Sequence, residues 1–497
     1  MAFVRYRLIQ FVLWLIAVSI MPSGRSAIAQ DQCRLCHEGI EDTPSTLFKK
    51  DVHAGMGISC VDCHGGNAKK ELMEEAMSKA AGFIGVPKGD QISKICAKCH
   101  ADAAVMVKKY NSALPTNQAE LLSTSVHGKL STTGKETIVH CTTCHNAHGI
   151  ARVDNPLSPV YPLNLPKTCA KCHSNGTYVR SYNPALPIDQ LDKYRTSVHG
   201  RKNASGDIKV AECASCHGSH GILASKDVRS SVYGTNIPAT CGKCHGDAQY
   251  MSGYRIPSDQ LEKFSKSVHG VALLEKKDLG APACNDCHGN HGATPPGVES
   301  VSKVCGTCHA LNADLFSKSV HKSAFDQRKL PECETCHGHH DIVAAKDELL
   351  GVTPEAVCSW CHGNKPDSKG FLAAKTMREL IDTLGISERD ASQLVEKAEQ
   401  MGMEVGEAKF KLREVHQARL ESRTMVHSFD EKQFQEVVEK GLKSASTISD
   451  EANGAIEEYY FRRQGLGVAT LIITVLAASL YLYVRRLERK QAREKRG

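Results

Sequence analysis

Apolar residues along this chain fall into three patterns. Near the start, Arg5 and Arg7 precede an apolar run from Leu8 to Met21. Near the end, Leu466 to Val484 is 19 residues without a charge, enough to cross a bilayer, where about 20 are usual. From 363 to 464, apolar side chains recur at three- and four-residue spacing with charges between them, as in AAKTMRELIDTL, DASQLVEKAEQM and EAKFKLREVHQARLESRTMVH. That period predicts amphipathic helices, punctuated by Gly385, Gly402 and Gly441.

The two terminal runs predict different fates. Ala27-Ile28-Ala29 before Gln30 offers an A-x-A cleavage site, so residues 1–29 read as a secretory signal peptide. At the other end Arg485, Arg486, Arg489, Lys490, Arg493, Lys495 and Arg496 follow the apolar run at once. The positive-inside bias keeps such a tail cytoplasmic. The expectation is a single-span protein of the inner membrane: helix 465–484, basic cytoplasmic tail 485–497, and nearly everything before them in the periplasm.

Composition changes the picture of the interior. Twelve Phe, thirteen Tyr and two Trp stand beside 22 Cys and 24 His in 497 residues. Aromatic side chains normally supply much of a core's buried area, so some other group must fill this one. The net charge of +7 comes from the ends: +3 from the first 29 residues and +5 from the last 13, leaving −1 between. Nucleic-acid binding needs basic residues clustered on the folded part, and is excluded.

Every cysteine belongs to one pattern, C-x-x-C-H. The sets are Cys33/Cys36/His37, Cys60/Cys63/His64, Cys96/Cys99/His100, Cys141/Cys144/His145, Cys169/Cys172/His173 and Cys213/Cys216/His217. They continue with Cys241/Cys244/His245, Cys284/Cys287/His288, Cys305/Cys308/His309, Cys333/Cys336/His337 and Cys358/Cys361/His362. This is the attachment signature of haem c: two thiols add to the vinyl groups of one porphyrin edge, and the histidine coordinates iron. Zinc sites need two C-x-x-C pairs per metal and disulfides need no histidine at all. The reading is eleven covalent haems. From Cys33 to His362 there are 330 residues, too few for an apolar core around each, so the porphyrins themselves must be most of the core.

An internal period organises the motifs. Ser-Val-His recurs at His127, His199, His269 and His321, each followed by two motifs, and the first motif of each unit continues as C-x-x-C-H-x-x-H, adding His148, His220, His291 and His340. A histidine three residues past the proximal one cannot fold over the same haem; it reaches a neighbouring iron and forces haems together. The N-terminal region, 30–125, holds three motifs but offers only His53, because Asn67 stands where later units have histidine. His416 and His427, 11 residues apart and on nearly one helical face, bring the spare ligands to eleven, which suggests bis-histidine iron throughout. His140 and His339 fall out of phase, and Met56 is a rival ligand near the second motif.

With their C-x-x-C-H-G-x-H-G form and Ser-Val-His-Gly phasing, residues 33–362 resemble the multihaem cytochromes c with doubled C-x-x-C-H motifs, in particular periplasmic and membrane-associated members. The resemblance implies haem c iron of low potential and electron relay in anaerobic respiration. Two departures stand out. The small quinol-oxidising cytochromes of this group carry an N-terminal anchor, whereas the anchor here is C-terminal. No C-x-x-C-K occurs, so the lysine-ligated haem of pentahaem nitrite reductases is absent. The expected fold is mainly α and irregular with little β: a haem-packed region with repeated two-haem units over 126–362, a Cys-free helical segment over 363–464, and the membrane helix. The expected function is an electron relay, from quinol to periplasmic or extracellular acceptors, with other redox proteins or a quinol-oxidising membrane complex as partners. The alternatives are an oxidoreductase of the hydroxylamine, nitrite or tetrathionate type, with one five-coordinate iron among the first three haems, and an electron-storing subunit of a larger complex.

Overall fold

The computed structural model describes residues 31–128, 139–294 and 303–496; the expected signal segment 1–29 lies outside them. The described chain is helical and irregular, with no strand among those residues. It forms two compact units. The first runs to Cys244 and takes in a short stretch from His288; the second holds His245–Cys287 and the chain beyond the second gap.

In the first unit, local chemistry fixes each motif. Cys60–His64, Cys141–His145 and Cys213–His217 are single helical turns. Each ends on a residue in the left-handed region, Gly65 at φ 68°, Asn146 at 68° and Gly218 at 77°, where glycine carries no penalty. That reversal explains the glycine in C-x-x-C-H-G-x-H and turns the next histidine away from its own motif. The second motif of a repeat instead closes a longer helix, Asp90–His100 or Leu165–His173. Pro166 sits in the first turn of the latter, where its missing N–H costs nothing. The loop before it is held by side chains: Asn164 Nδ2 donates to the carbonyls of Pro156 (2.8 Å) and Ser158 (2.9 Å), and Thr168 Oγ1 to that of Pro159 (2.7 Å). Few apolar side chains are buried in this unit, Met106 and Val179 among them.

Ser-Val-His-Gly is a hinge between two helices. In the first unit the Ser197 hydroxyl donates to the Tyr194 carbonyl (2.6 Å), ending one helix, and accepts from Gly200 N–H (2.8 Å), capping the next. Ser125 makes the same pair of bonds with Leu122 and Gly128, and in the second unit Ser267 does so with Phe264 and Gly270. The valine N–H then ties each hinge to the following repeat. Val126 donates to Ile222 O (2.8 Å) and Val198 to Ala293 O (3.0 Å) in the first unit, and Val268 to Ile342 O (2.9 Å) in the second. Val52 donates to Ile150 O in the same manner (2.8 Å), so the repeat begins at Asp51, inside the expected three-motif region.

The second unit ends in three packed helices, Lys369–Gln400, Gly406–Met425 and Glu431–Glu494. Ile381, Leu384, Val395, Val415, Phe434, Val438 and Ile448 are fully buried between them. On the last helix the buried positions are 434, 438, 441, 445, 448, 452 and 456, spaced three or four apart as in a helix seam. Of the three glycines expected to punctuate these helices, only Gly402 (φ 79°) ends one. Gly441 lies mid-helix, where a Cβ would come within 2.8 Å of Ala418 and 2.9 Å of Leu384; close packing, not a break, requires it. The expected boundaries at 464/465 and 484/485 are likewise no breaks. One 64-residue helix runs from the bundle through the apolar stretch into the basic tail, and the apolar stretch is exposed. Tyr459, Tyr460, Tyr481 and Tyr483 stand at its two ends, as interfacial aromatics do.

Ion pairs clamp the bundle to the loop between the last two motifs. Asp347 accepts from Arg419 and Arg423 (both 2.8 Å), Arg419 also meets Glu388 (3.0 Å), and Arg378 donates to the Asp347 carbonyl (2.9 Å).

Candidate haem-binding sites

The structure sorts the spare histidines into two classes. Histidines that follow the hinge valine face the second motif of their own repeat. Ring centroids are 6.0 Å apart for His53 and His100, 6.1 Å for His127 and His173, 6.2 Å for His269 and His309, and 6.0 Å for His321 and His362. Histidines of the C-x-x-C-H-x-x-H form face the first motif of the preceding repeat: His148 and His64 at 6.0 Å, His220 and His145 at 6.1 Å, His291 and His217 at 6.1 Å. After the last repeat, His427 from the turn between the second and third bundle helices faces His337 at 6.0 Å.

These distances test the fit of a haem. An imidazole–metal bond of about 2.0 Å on each side, plus about 1.1 Å from ring nitrogen to centroid, gives about 6.2 Å between centroids of two axial ligands. No three His, Cys, Asp or Glu side chains gather to hold a bare metal ion among the described residues. Two opposed imidazoles with a C-x-x-C beside one of them suit an iron whose other four ligands come from a porphyrin. Burial first, and the facing histidine as well, lowers the pKa of His100, His127, His145, His148, His217, His269, His321 and His337. The rings are thereby held neutral, the form that binds metal. Partners on Nδ1 would leave Nε2 to hold a haem iron: Gly85 O for His64 (2.9 Å), Asp51 for His53 (2.9 Å) and Thr424 O for His427 (3.0 Å).

Cysteines of successive motifs adjoin. Cys96 adjoins Cys141, Cys169 adjoins Cys213, and in the second unit Cys305 adjoins Cys333. Each pair joins the second motif of one repeat to the first of the next. Within repeats, partial burial raises the Cys63, Cys144, Cys216 and Cys336 thiols, with further contributions from Cys99, Cys172, Cys241 and Cys358 respectively. Cys60 is pushed up to about 11 by burial, Asp31 and Cys33. Within each unit, neighbours in sequence are therefore neighbours in space, and the C-x-x-C pairs that would attach consecutive haems lie side by side.

The cysteines differ in exposure by their place in the motif. Cys36, Cys63, Cys287, Cys308 and Cys361 are exposed, and the other cysteines are half-buried. All five exposed residues are the second cysteine of their motif. In the second unit the reason is local. Cys308 N–H donates back to Cys305 O (3.3 Å) and Cys361 N–H to Cys358 O (3.4 Å), a tight turn that leaves the first cysteine half-buried and the second at the surface. Trp360, beside Cys361, is 64 % exposed as well. Surface position does not remove Cys308 or Cys361 from the haem-binding set, since thioether formation requires the C-x-x-C-H spacing rather than burial.

His416 departs from expectation. Its side chain is 61 % exposed and its Nδ1 lies 2.8 Å from Glu388 Oε1; it faces no motif histidine, because its helix turns that face outward. His427, beyond the end of the same helix, is carried inward by the turn that follows. Met56 is exposed, and His148 stands opposite His64 where Met56 was the rival. His140 lies 4.0 Å from Asp90, and His339 Nδ1 is 3.0 Å from that of His340. His199, His245, His288 and His340 occupy the register positions of the paired histidines. The Nδ1 of His37 pairs with a carboxylate, Asp42. Sequence reasoning missed Asp42 and the part played by Asp51. Asp51-Val52-His53 was legible as a hinge once aspartate is allowed the role of serine, since its carboxylate accepts from His53 N–H (2.9 Å) and Ile150 N–H (2.8 Å).

Residues 52–174 match the cytochrome c3 family, and residues 206–250 match the doubled CXXCH motif family. The chain belongs to the multihaem cytochromes c: its C-x-x-C-H motifs bind haem c covalently, and its haem-bearing region is one for electron transfer. Within that class it is a cytochrome of the doubled-motif kind, and its C-terminal apolar helix is consistent with a single-pass membrane anchor. No curated protein and no solved structure matches the chain.

Proposed function

We propose that this chain is an exported cytochrome carrying eleven haems, anchored by its C-terminal helix, that relays electrons on the periplasmic side of the inner membrane. Bound haem c supplies redox-active iron and a conjugated ring through which electrons hop; the chain's own residues set position and spacing. The observation that carries this reading is the alternating histidine pairing, each pair 6.0–6.2 Å apart, with the cysteines of consecutive motifs adjoining. Within each unit such a series would hold its cofactors in close succession. The repeat register gives His199, His245, His288 and His340 the same ligand roles. Two imidazoles on an iron leave no position for substrate and favour lower potentials than methionine–histidine ligation, which suits transfer rather than turnover.

The anchor sets the donor. A continuous helix from the bundle into the apolar stretch keeps the haem region close to the bilayer, which suits electrons drawn from quinol, directly or through a quinol-oxidising membrane complex, in anaerobic respiration. Periplasmic or extracellular redox proteins would take them onward. The test is the full-length protein in quinol-loaded liposomes beside a soluble acceptor. The expected result is a mass eleven haems above the processed polypeptide and acceptor reduction that needs the C-terminal helix. Reduction unchanged by quinol, in a protein with all its haems, would sink the quinol-linked role.

A further inference from the structure

We infer that Asp51 is a positioning residue that lowers the reduction potential of a haem iron held between His53 and His100, by keeping a carboxylate on the Nδ1 side of His53. The inference rests on haem attachment at Cys96 and Cys99. It goes beyond the relay because it makes the irons of one unit unequal.

Asp51 stands where the later hinges have serine: Ser125, Ser197, Ser267 and Ser319 each come two residues before a hinge histidine. In the hinges at 125, 197 and 267 the serine hydroxyl is spent on backbone, donating to a carbonyl of the helix before it and accepting from the glycine N–H after the histidine. A carboxylate has no proton to donate, and it brings a second acceptor oxygen. Asp51 Oδ1 lies 2.9 Å from both the backbone nitrogen and Nδ1 of His53, and Oδ2 accepts from Ile150 N–H at 2.8 Å. Two backbone N–H groups and a ring nitrogen thus converge on one side chain that is only 2 % exposed. Such an arrangement suits an anion, and burial leaves its charge little screened.

Other rings are backed by neutral groups. The carbonyls of Gly85, Thr294 and Thr424 lie on Nδ1 of His64, His288 and His427, at 2.9, 3.3 and 3.0 Å. A carboxylate on Nδ1–H makes imidazole a stronger donor to its metal, and both that donation and the nearby negative charge favour ferric over ferrous iron. Hydrogen bonding behind the axial ligand is one of the protein's levers on haem potential. Asp42 applies the same lever to His37, with its other oxygen held by Ser45 N–H at 2.9 Å. Its side chain is a quarter exposed, so water weakens its effect relative to that of Asp51. Both carboxylates stand at the N-terminal end of the first unit, which becomes its low-potential end. At partial reduction, electrons then rest on the irons beyond it.

The test is a redox titration of the full-length, haem-loaded protein followed by electron paramagnetic resonance. The rings of His53 and His100 are crossed at 84°, so their iron belongs to the highly anisotropic low-spin signal. In the wild type, part of that signal is expected to survive to the lowest potentials. Asp51→Asn, and Asp51→Ser which copies the later hinges, should each make reduction of that part about tenfold more favourable, or about 59 mV for one electron. Haem mass and low-spin content stay unchanged, and Asp42→Asn leaves that part where it is. A wild type whose whole anisotropic signal disappears before the other low-spin signals overturns the inference, whether or not the variants fold. Unchanged potentials in both Asp51 variants also overturn it. So does conversion of one iron to high spin in them, because Asp51 then serves to hold His53 in place. A full complement of haem in each case leaves the relay standing.

Discussion

Gly270→Ala tests whether the hinge positions an axial ligand. Gly270 has ordinary helical backbone angles (φ −64°), so the substitution strains no dihedral and acts through space alone. A Cβ there would lie 1.8 Å from Phe264 O, 2.7 Å from its carbonyl carbon and 2.9 Å from Ser265 Cα. All three are backbone atoms at the end of the preceding helix, so no flexible side chain can move aside. Opening the hinge far enough to restore even a 3.0 Å contact takes about 1.2 Å. Ligand constellations tolerate about 0.5 Å, and the residue beside the glycine is His269, 6.2 Å from His309. Overpacking of this kind costs about 1–3 kcal/mol. The expected outcome is a folded protein in which one haem in eleven turns from low-spin to high-spin, matching His269→Ala, with a lower unfolding midpoint. Electron paramagnetic resonance of the oxidised protein and thermal unfolding read both. A Gly270→Ala protein with wild-type low-spin content and stability would refute the hinge argument.

Three further outcomes follow from the same geometry. His427→Ala should convert one low-spin haem to high-spin and open it to CO, whereas His416→Ala should leave the spectrum unchanged. Ring planes differ by class: 8°, 9°, 11° and 20° for the partners of first motifs, but 84°, 59°, 38° and 82° for those of second motifs. Crossed ligand planes leave two iron d orbitals nearly degenerate, so the spectrum should hold both rhombic and highly anisotropic low-spin signals; a single class refutes the assignment. Burial opposes the charge on Asp347, but hydrogen bonds from Arg423 and Arg419 outweigh it and lower its pKa. That stability is fully present above the unfolded value near pH 3.9 and is lost as pH falls through the lower folded value. Arg419→Met should cost about 2 kcal/mol at neutral pH, somewhat less for the quarter exposure of Arg419. Unfolding midpoints followed from neutral to acid pH should show Asp347→Asn losing less stability than wild type across that window.

Much of this was legible in the sequence because its signals are local. C-x-x-C-H declares its cofactor within five residues, and a heptad-like run such as the one around Phe434 declares a helix. The spare histidines were legible as a set, since their phase repeats, but not as pairs. Which motif each one faces depends on two features of tertiary geometry: the left-handed residue after each first motif, and the valine N–H that docks a hinge on the following repeat. Neither follows from spacing along one chain. His416 and His427 make the same point from the other side. They share a helical face in projection, and the difference between them is made by a helix end at Met425 and the turn after it, a boundary that periodicity locates poorly.

The haem count and the ligand count were matched in sequence by adding His416 to the ligands, and the structure removes it. What remains are ten motifs whose histidines are paired or share the register of paired ones, and one motif, at His37, whose ring meets Asp42. The shortfall sits at the first position of the series rather than in its middle. A relay gains nothing from an interior iron with a free site, where an exogenous ligand would halt transfer. Repeats copied in register supply the ligands of their predecessors, so an axial partner can change at the ends of the series without disturbing the hinge and valine contacts, as His427 does for His337 after the last repeat.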